Sequence, residues 1–258
     1  MAGRYAAWLA SDNRSTKFDC NSVHILGQYI DGSLTPHDAA DQLTQSSNPY
    51  SVYVAILHLA KEEDTTDAHY MFVELVKTIF ALGMAAWRDE NEFGNIWRDT
   101  HDSLWSDFAD IKAIHNEAAR QWINYHTFSA ICLASGMKLG LLVVFDVILE
   151  ALEKKLAKNT TIEATHHANI LAAAQYFIHV SKLLLECPPN KAPDYDTELW
   201  KGRKCYSAER WAFWKERWEV LRQNQNLPDE ITEAARRAEV SMGKAEREAE
   251  REKTKKKK

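Results

Sequence analysis

Residues 207–221, SAERWAFWKERWEVL, constrain the fold more than any other stretch. Trp211, Trp214, Trp218 and Leu221 recur at steps of three, four and three, the spacing that lines one face of a helix. Ser207 is a favourable N-cap, and Glu209 suits the positive end of the helix dipole. The charged residues Arg210, Lys215, Glu216, Arg217 and Arg222 fall mostly off that stripe. A buried aromatic ring removes about 150–250 Å² from water, so three in one short helix require either the last plank of a core or the wall of a cavity. Spacing alone leaves both open.

The same period runs through most of the chain. Apolar residues from Phe18 to Ile30 give a first helix that stops at Gly32, and Thr35 with Pro36 opens a second. Asn48 and Pro49 start a third. Thr65, Thr66 and Asp67 start a fourth, which ends at Gly83, and the pair should form an antiparallel hairpin. Residues 87–105 hold Trp87, Trp97 and Trp105 among polar residues around Gly94, and this irregularity predicts a packed loop lying across the helices. Residues 106–136 are helical with a break near His115. Residues 139–156 form the most apolar helix, and Thr160 with Glu163 makes a capping box for a long one reaching Glu186. Pro228 opens a last helix whose narrow stripe of Ile231, Ala235, Ala238 and Met242 predicts light docking and solvation beyond about Met242.

With nine Gly, six Pro and no alternating strand pattern, these elements specify an all-α fold. It is a single globular multi-helix array of antiparallel helical hairpins. Residues 1–17 are an N-terminal arm, 18–226 the helical domain, and 227–258 a solvated, charged C-terminal helix with a basic tail. No repeat at a solenoid period is present. The net charge of −5 includes five lysines in residues 253–258, so the remainder carries −10. An acidic body argues against a nucleic-acid groove; binding through the tail would be salt-dependent and lost on deleting 253–258. Cys20, Cys132, Cys187 and Cys205 show no paired spacing and read as free thiols. The start lacks a signal-peptide core, and the apolar run from Leu141 to Leu149, broken by Asp146, is too short to span a bilayer. A cytoplasmic or nuclear location is expected, with the sequons at Asn13 and Asn159 unused.

Catalytic motifs are sparse. His166 and His167 are neighbours that diverge by about 100° on a helix, His115 and Glu117 diverge likewise, and no HExxH occurs, so no metal is expected. Asp107 and Asp110 form a DxxD without the second acidic motif that magnesium diphosphate chemistry needs. Nucleophile elbows and phosphate loops are missing, so no cofactor is expected either. Cys132 sits in an apolar helix, as a core thiol would. His126, beside Trp122 and Tyr125, is the one candidate for orienting or protonating a ligand.

The segment LWKGRKCYSAERWAFWKERW, residues 199–218, resembles the closing motif of the fungal family known as domain of unknown function 3632. WSDFADI at 105–111, WINYHTFSAICL at 122–133 and the opening YIDGSLTPHDAADQL are similar to further blocks of that family. Trp218 departs from the usual Phe, and Tyr125-His126 from a more apolar–polar pair. The resemblance implies an intracellular fungal helical protein, and the company such proteins keep with specialised-metabolism genes implies a small-molecule role. The expected site is an aromatic cavity of Trp105, Trp122, Tyr125, His126, Arg210, Trp211 and Trp214 that binds an apolar molecule, with cofactor-free cyclisation as the chemistry it could host. The alternative is a non-enzymatic helical adaptor that meets a protein partner through its surface or its C-terminal helix.

Overall fold

The computed structural model describes residues 19–82, 87, 90–108, 116–156, 160–188, 197–203 and 205–256. The expected N-terminal arm, Gly83, Asp110, His115 and both sequon asparagines lie outside these. Among the described residues ten α-helices and no strands are found. They are α1 (Cys20–Ile30), α2 (Pro36–Ser46), α3 (Pro49–Glu62), α4 (Thr66–Leu82), α5 (Glu90–Phe108), α6 (Glu117–Ala134), α7 (Leu141–Leu152), α8 (Thr160–Leu185), α9 (Ala208–Gln223) and α10 (Asp229–Lys256). The all-α single array expected from the sequence is the fold.

Several helix starts follow their capping residues. Thr35 accepts from the Asp38 amide with Pro36 at the first position, Asn48 accepts from Ser51, and Ser207 accepts from Arg210. Each side chain satisfies an amide that the helix itself leaves unpaired. Gly136 closes α6 at φ 85°, and its amide and that of Met137 bond back to Leu133 and Cys132. A side chain there has open space around it but would be strained by the left-handed backbone conformation.

Residues 90–108 correct the expectation of a loop. Acidic Glu90 and Glu92 lie in the first turn of α5, and Phe93, Ile96, Trp97, Leu104 and Phe108 are buried along one face. Gly94 sits inside this helix beneath the α6–α7 connection, with the Lys138 carbonyl 3.8 Å from where a Cβ would sit, an ordinary contact distance. Helices α3 and α4 touch only sparsely; α3 packs mainly on α5 and α6, and α4 on α2 and α6.

Helix α8 is the spine. It packs against α6, α7 and α10, and buried Ala168, Ala172, Ala173 and Ala174 let those neighbours come close. Its stretch Glu163–Leu185 is apolar and long enough to cross a membrane, yet 67% of that window is buried by its own neighbours, as a core helix requires. Backbone angles depart from helical at Val180. Helix α10 docks more fully than its sparse stripe suggests. Ile231, Ala235, Ala238, Met242 and Ala245 are all buried against α8 and α9, because alanine permits short interaxial distances. Its turns from Glu250 onward are exposed.

Candidate functional site

The seven expected site residues fall into two aromatic nests on different faces of α8. Consecutive residues of that helix divide them: the Tyr176 ring lies 5.7 Å from His126 in the first nest, and the Phe177 ring lies 5.9, 6.0 and 5.4 Å from Trp211, Trp214 and Trp218 in the second.

The first nest is built by α5, α6 and α8 and gathers Trp105, Trp122, Tyr125 and His126. Trp122 is its centre. Phe108 stacks on it at 4.6 Å and 14°, Trp105 tilts against it at 5.4 Å, and His126 meets it edge-on at 4.3 Å. Trp122, Tyr125 and His126 have no exposed surface, whereas Trp105 is 40% exposed. The indole nitrogens are anchored: Trp122 donates to Asn169 Oδ1 at 3.0 Å and Trp97 donates to Ser129 Oγ at 2.8 Å. Ser129 in turn donates to the Tyr125 carbonyl, and the Tyr125 hydroxyl donates to the Trp97 carbonyl.

Two histidines inside this frame are incompletely bonded. His126 Nδ1 shares a 2.7 Å hydrogen bond with the Tyr176 hydroxyl, and His101 Nδ1 lies 3.1 Å from Asp102 Oδ1. Their rings are 5.6 Å apart. His101 Nε2 and His126 Nε2 are both buried, and neither has a hydrogen-bond partner. Burial holds the His126 imidazole well below its usual pKa, and neighbouring His101 adds to the effect. Burial also lowers His101, opposed by Asp102 and by Asp146 on α7. Both rings are therefore neutral at physiological pH. The phenols of Tyr125 and Tyr176 are pushed up by desolvation and stay protonated.

The second nest holds Arg210, Trp211 and Trp214, and its organiser is Glu153 at the C-terminus of α7. Arg210 Nε and one terminal nitrogen grip the two Glu153 oxygens at 2.7 and 2.8 Å, and neither side chain is exposed. Trp214 Nε1 donates to the same carboxylate at 2.7 Å and Thr197 Oγ1 at 2.6 Å. The Glu153 carbonyl also accepts from the Leu199 amide, so one residue fastens the 197–203 segment and α9 to α7. Trp211 donates to Glu246 Oε1 on α10, where Lys215 also pairs. This nest is a fastening: four donors converge on one carboxylate, which takes the Trp214 indole N–H and two of the Arg210 N–H groups.

Over residues 53–218 the chain matches the family model described as Protein of unknown function (DUF3632). The chain belongs to this family. No curated protein and no solved structure matches it. The segment shared with DUF3632 contains His101, His126, Glu153, Arg210 and Trp214, and excludes α10 with Glu246. Within this DUF3632 chain, the Arg and the second Trp of the closing ERWAFW run are the two residues that clamp Glu153.

His101, Asn169, Tyr176 and Glu153 escaped the sequence reading. A signal existed for the first: Trp97, His101, Trp105 and Phe108 stand four, four and three apart, one helical face interrupted by polar residues. Glu153 follows Asp146 and Glu150 at the end of an apolar helix, and nothing local singles it out from them. Cys132 is a core thiol, held well above its usual pKa by burial. Among the described residues no three His, Cys, Asp or Glu side chains gather as a metal would need. A cleft of about 560 Å³ opens beside the first nest, with Trp97, Gly94, Gly140 and Leu142 in its walls.

Proposed function

We propose that this protein binds an apolar small molecule at the first nest, with Trp105 and Trp122 as aromatic walls and the His101–His126 pair as its polar contact. The observation that carries this reading is the pair of buried imidazole nitrogens without partners. Leaving a buried polar atom unpaired costs about 1–3 kcal/mol, and two in one aromatic nest fit a place where a guest supplies the bonds. Trp105, exposed at its outer edge, is the natural point of entry. The family resemblance extends the proposal to a molecule of fungal specialised metabolism. A cofactor-free cyclisation held in shape by these walls is the chemistry that would go with it.

Native mass spectrometry of the protein purified from its own host tests the reading. A co-purifying small molecule is expected in wild type and in Lys215→Ala, and its loss in a folded His126→Phe variant. Retention of the molecule in folded His126→Phe would overturn it.

A second reading, a helical adaptor, is favoured by a surface rather than by the nests. Tyr70, Leu142 and Leu183 are 47%, 60% and 37% exposed around the α6–α7 connection. Beside them run grooves of about 530 and 710 Å³. Crosslinking in host extract supports this reading if wild type captures a partner that Leu142→Lys with Leu183→Lys does not.

A further inference from the structure

We infer that the ligand of the first nest presents an uncharged hydroxyl, which donates to His101 Nε2 and accepts from His126 Nε2. This rests on the small-molecule reading above and narrows it to alcohols or phenols on a cyclic carbon skeleton. The argument begins with the tautomers. An ionised carboxylate only accepts, so Asp102 fixes the His101 proton on Nδ1, and a neutral ring then carries a bare lone pair at Nε2. That nitrogen needs a donor. On His126 the phenol of Tyr176 can donate to Nδ1, which leaves the proton on Nε2. That nitrogen needs an acceptor.

One hydroxyl supplies both. Two N···O bonds of about 2.9 Å let one oxygen bridge nitrogens up to about 5.8 Å apart, and the two imidazole rings are close neighbours, with centroids 5.6 Å apart. A carbonyl cannot donate and would leave His101 unpaired. A carboxylate would bring negative charge toward Asp102 and Asp146, whose fields already act on His101. An ammonium could donate to His101, yet it has nothing to accept the His126 N–H, and it would lose its hydration beside the buried Trp122 and His126 rings. The partly exposed Trp105 ring beside Trp122 favours a ring over a flexible chain, since a rigid ring loses little freedom on binding.

Histidine ring nitrogens of ¹⁵N-labelled protein, followed by NMR at pH 7.5, provide the test. The probes are benzyl alcohol, benzaldehyde, benzylamine and benzoate, which share a ring and differ in the head group. Benzyl alcohol is expected to shift the His101 and His126 signals saturably and to bind about tenfold or more tightly than the other three, the discrimination expected for one unpaired buried polar group. In His126→Phe, and independently in His101→Phe, that preference should collapse to about onefold. If benzaldehyde, benzylamine or benzoate shifts both rings as tightly as the alcohol, the hydroxyl assignment falls while the site stands. If no probe moves either ring, or if a slowly exchanging water bridges the two nitrogens and is not displaced, the small-molecule reading falls with it.

Discussion

Replacing Arg210 with methionine tests whether the closing motif is a fastening. Methionine keeps much of the volume and removes the charge. In wild type the Glu153 carboxylate receives four hydrogen bonds, two of them from Arg210, in a site with no solvent exposure. After substitution the carboxylate stays buried with only Trp214 and Thr197 to satisfy it. Removing one partner of a buried ion pair costs about 3–5 kcal/mol, because the remaining charge is stranded. For a domain of this size each kcal/mol lowers Tm by about 2–4 °C, so a fall of about 6–20 °C is expected. Glu153→Leu alone strands the guanidinium and should cost a similar amount. The double variant strands neither charge, and a cycle built on urea midpoints should return a coupling of about 2 kcal/mol or more, near the upper range for contacting residues. An Arg210→Met loss below about 1 kcal/mol, or additive single effects, would refute the reasoning, since a surface-type pair behaves that way.

Other outcomes follow from the same geometry. His69, His101, His126, His166, His167 and His179 all have folded pKa values below the ordinary 6.5 because of burial. The unfolded chain binds these protons first, so stability should be full above about pH 7 and decline as pH falls through 6.5, by up to about 1.4 kcal/mol per pH unit for each such group. Urea midpoints between pH 7.5 and 5.5 measure this, and His126→Phe should flatten the slope. Gly136→Ala should destabilise by about 1–2 kcal/mol in the same assay, since it forces a side chain into the left-handed region. Trp211→Phe removes the bond to Glu246 and should loosen α10, seen as faster hydrogen exchange around Ala238 to Ala245 with a stability loss of about 1 kcal/mol. Cys132 should resist thiol reagents in the native state and react only on unfolding.

How much was legible depended on whether the signal was local. Capping residues are read by the amides next to them, so Thr35, Asn48 and Ser207 marked their helix starts correctly. The aromatic stripe of α9 was equally plain. Helix α5 was obscured because Gly94 and a run of acids and amides dilute its apolar face, although Trp97, His101, Trp105 and Phe108 keep the period. The site was harder. A helical face can be read from spacing, but which faces meet is a tertiary fact, and α8 separates Trp122 from Trp211 by turning Tyr176 one way and Phe177 the other. The role of Arg210 stayed hidden for the same reason, because its partner lies 57 residues away.

A high-resolution crystal structure of the protein isolated from its native host addresses the small-molecule proposal most directly. Density bonded to both His101 Nε2 and His126 Nε2 and continuous with a cyclic carbon skeleton against Trp122 is the expected result. A lone water at that position, or rings closed together with nothing between them, would contradict it.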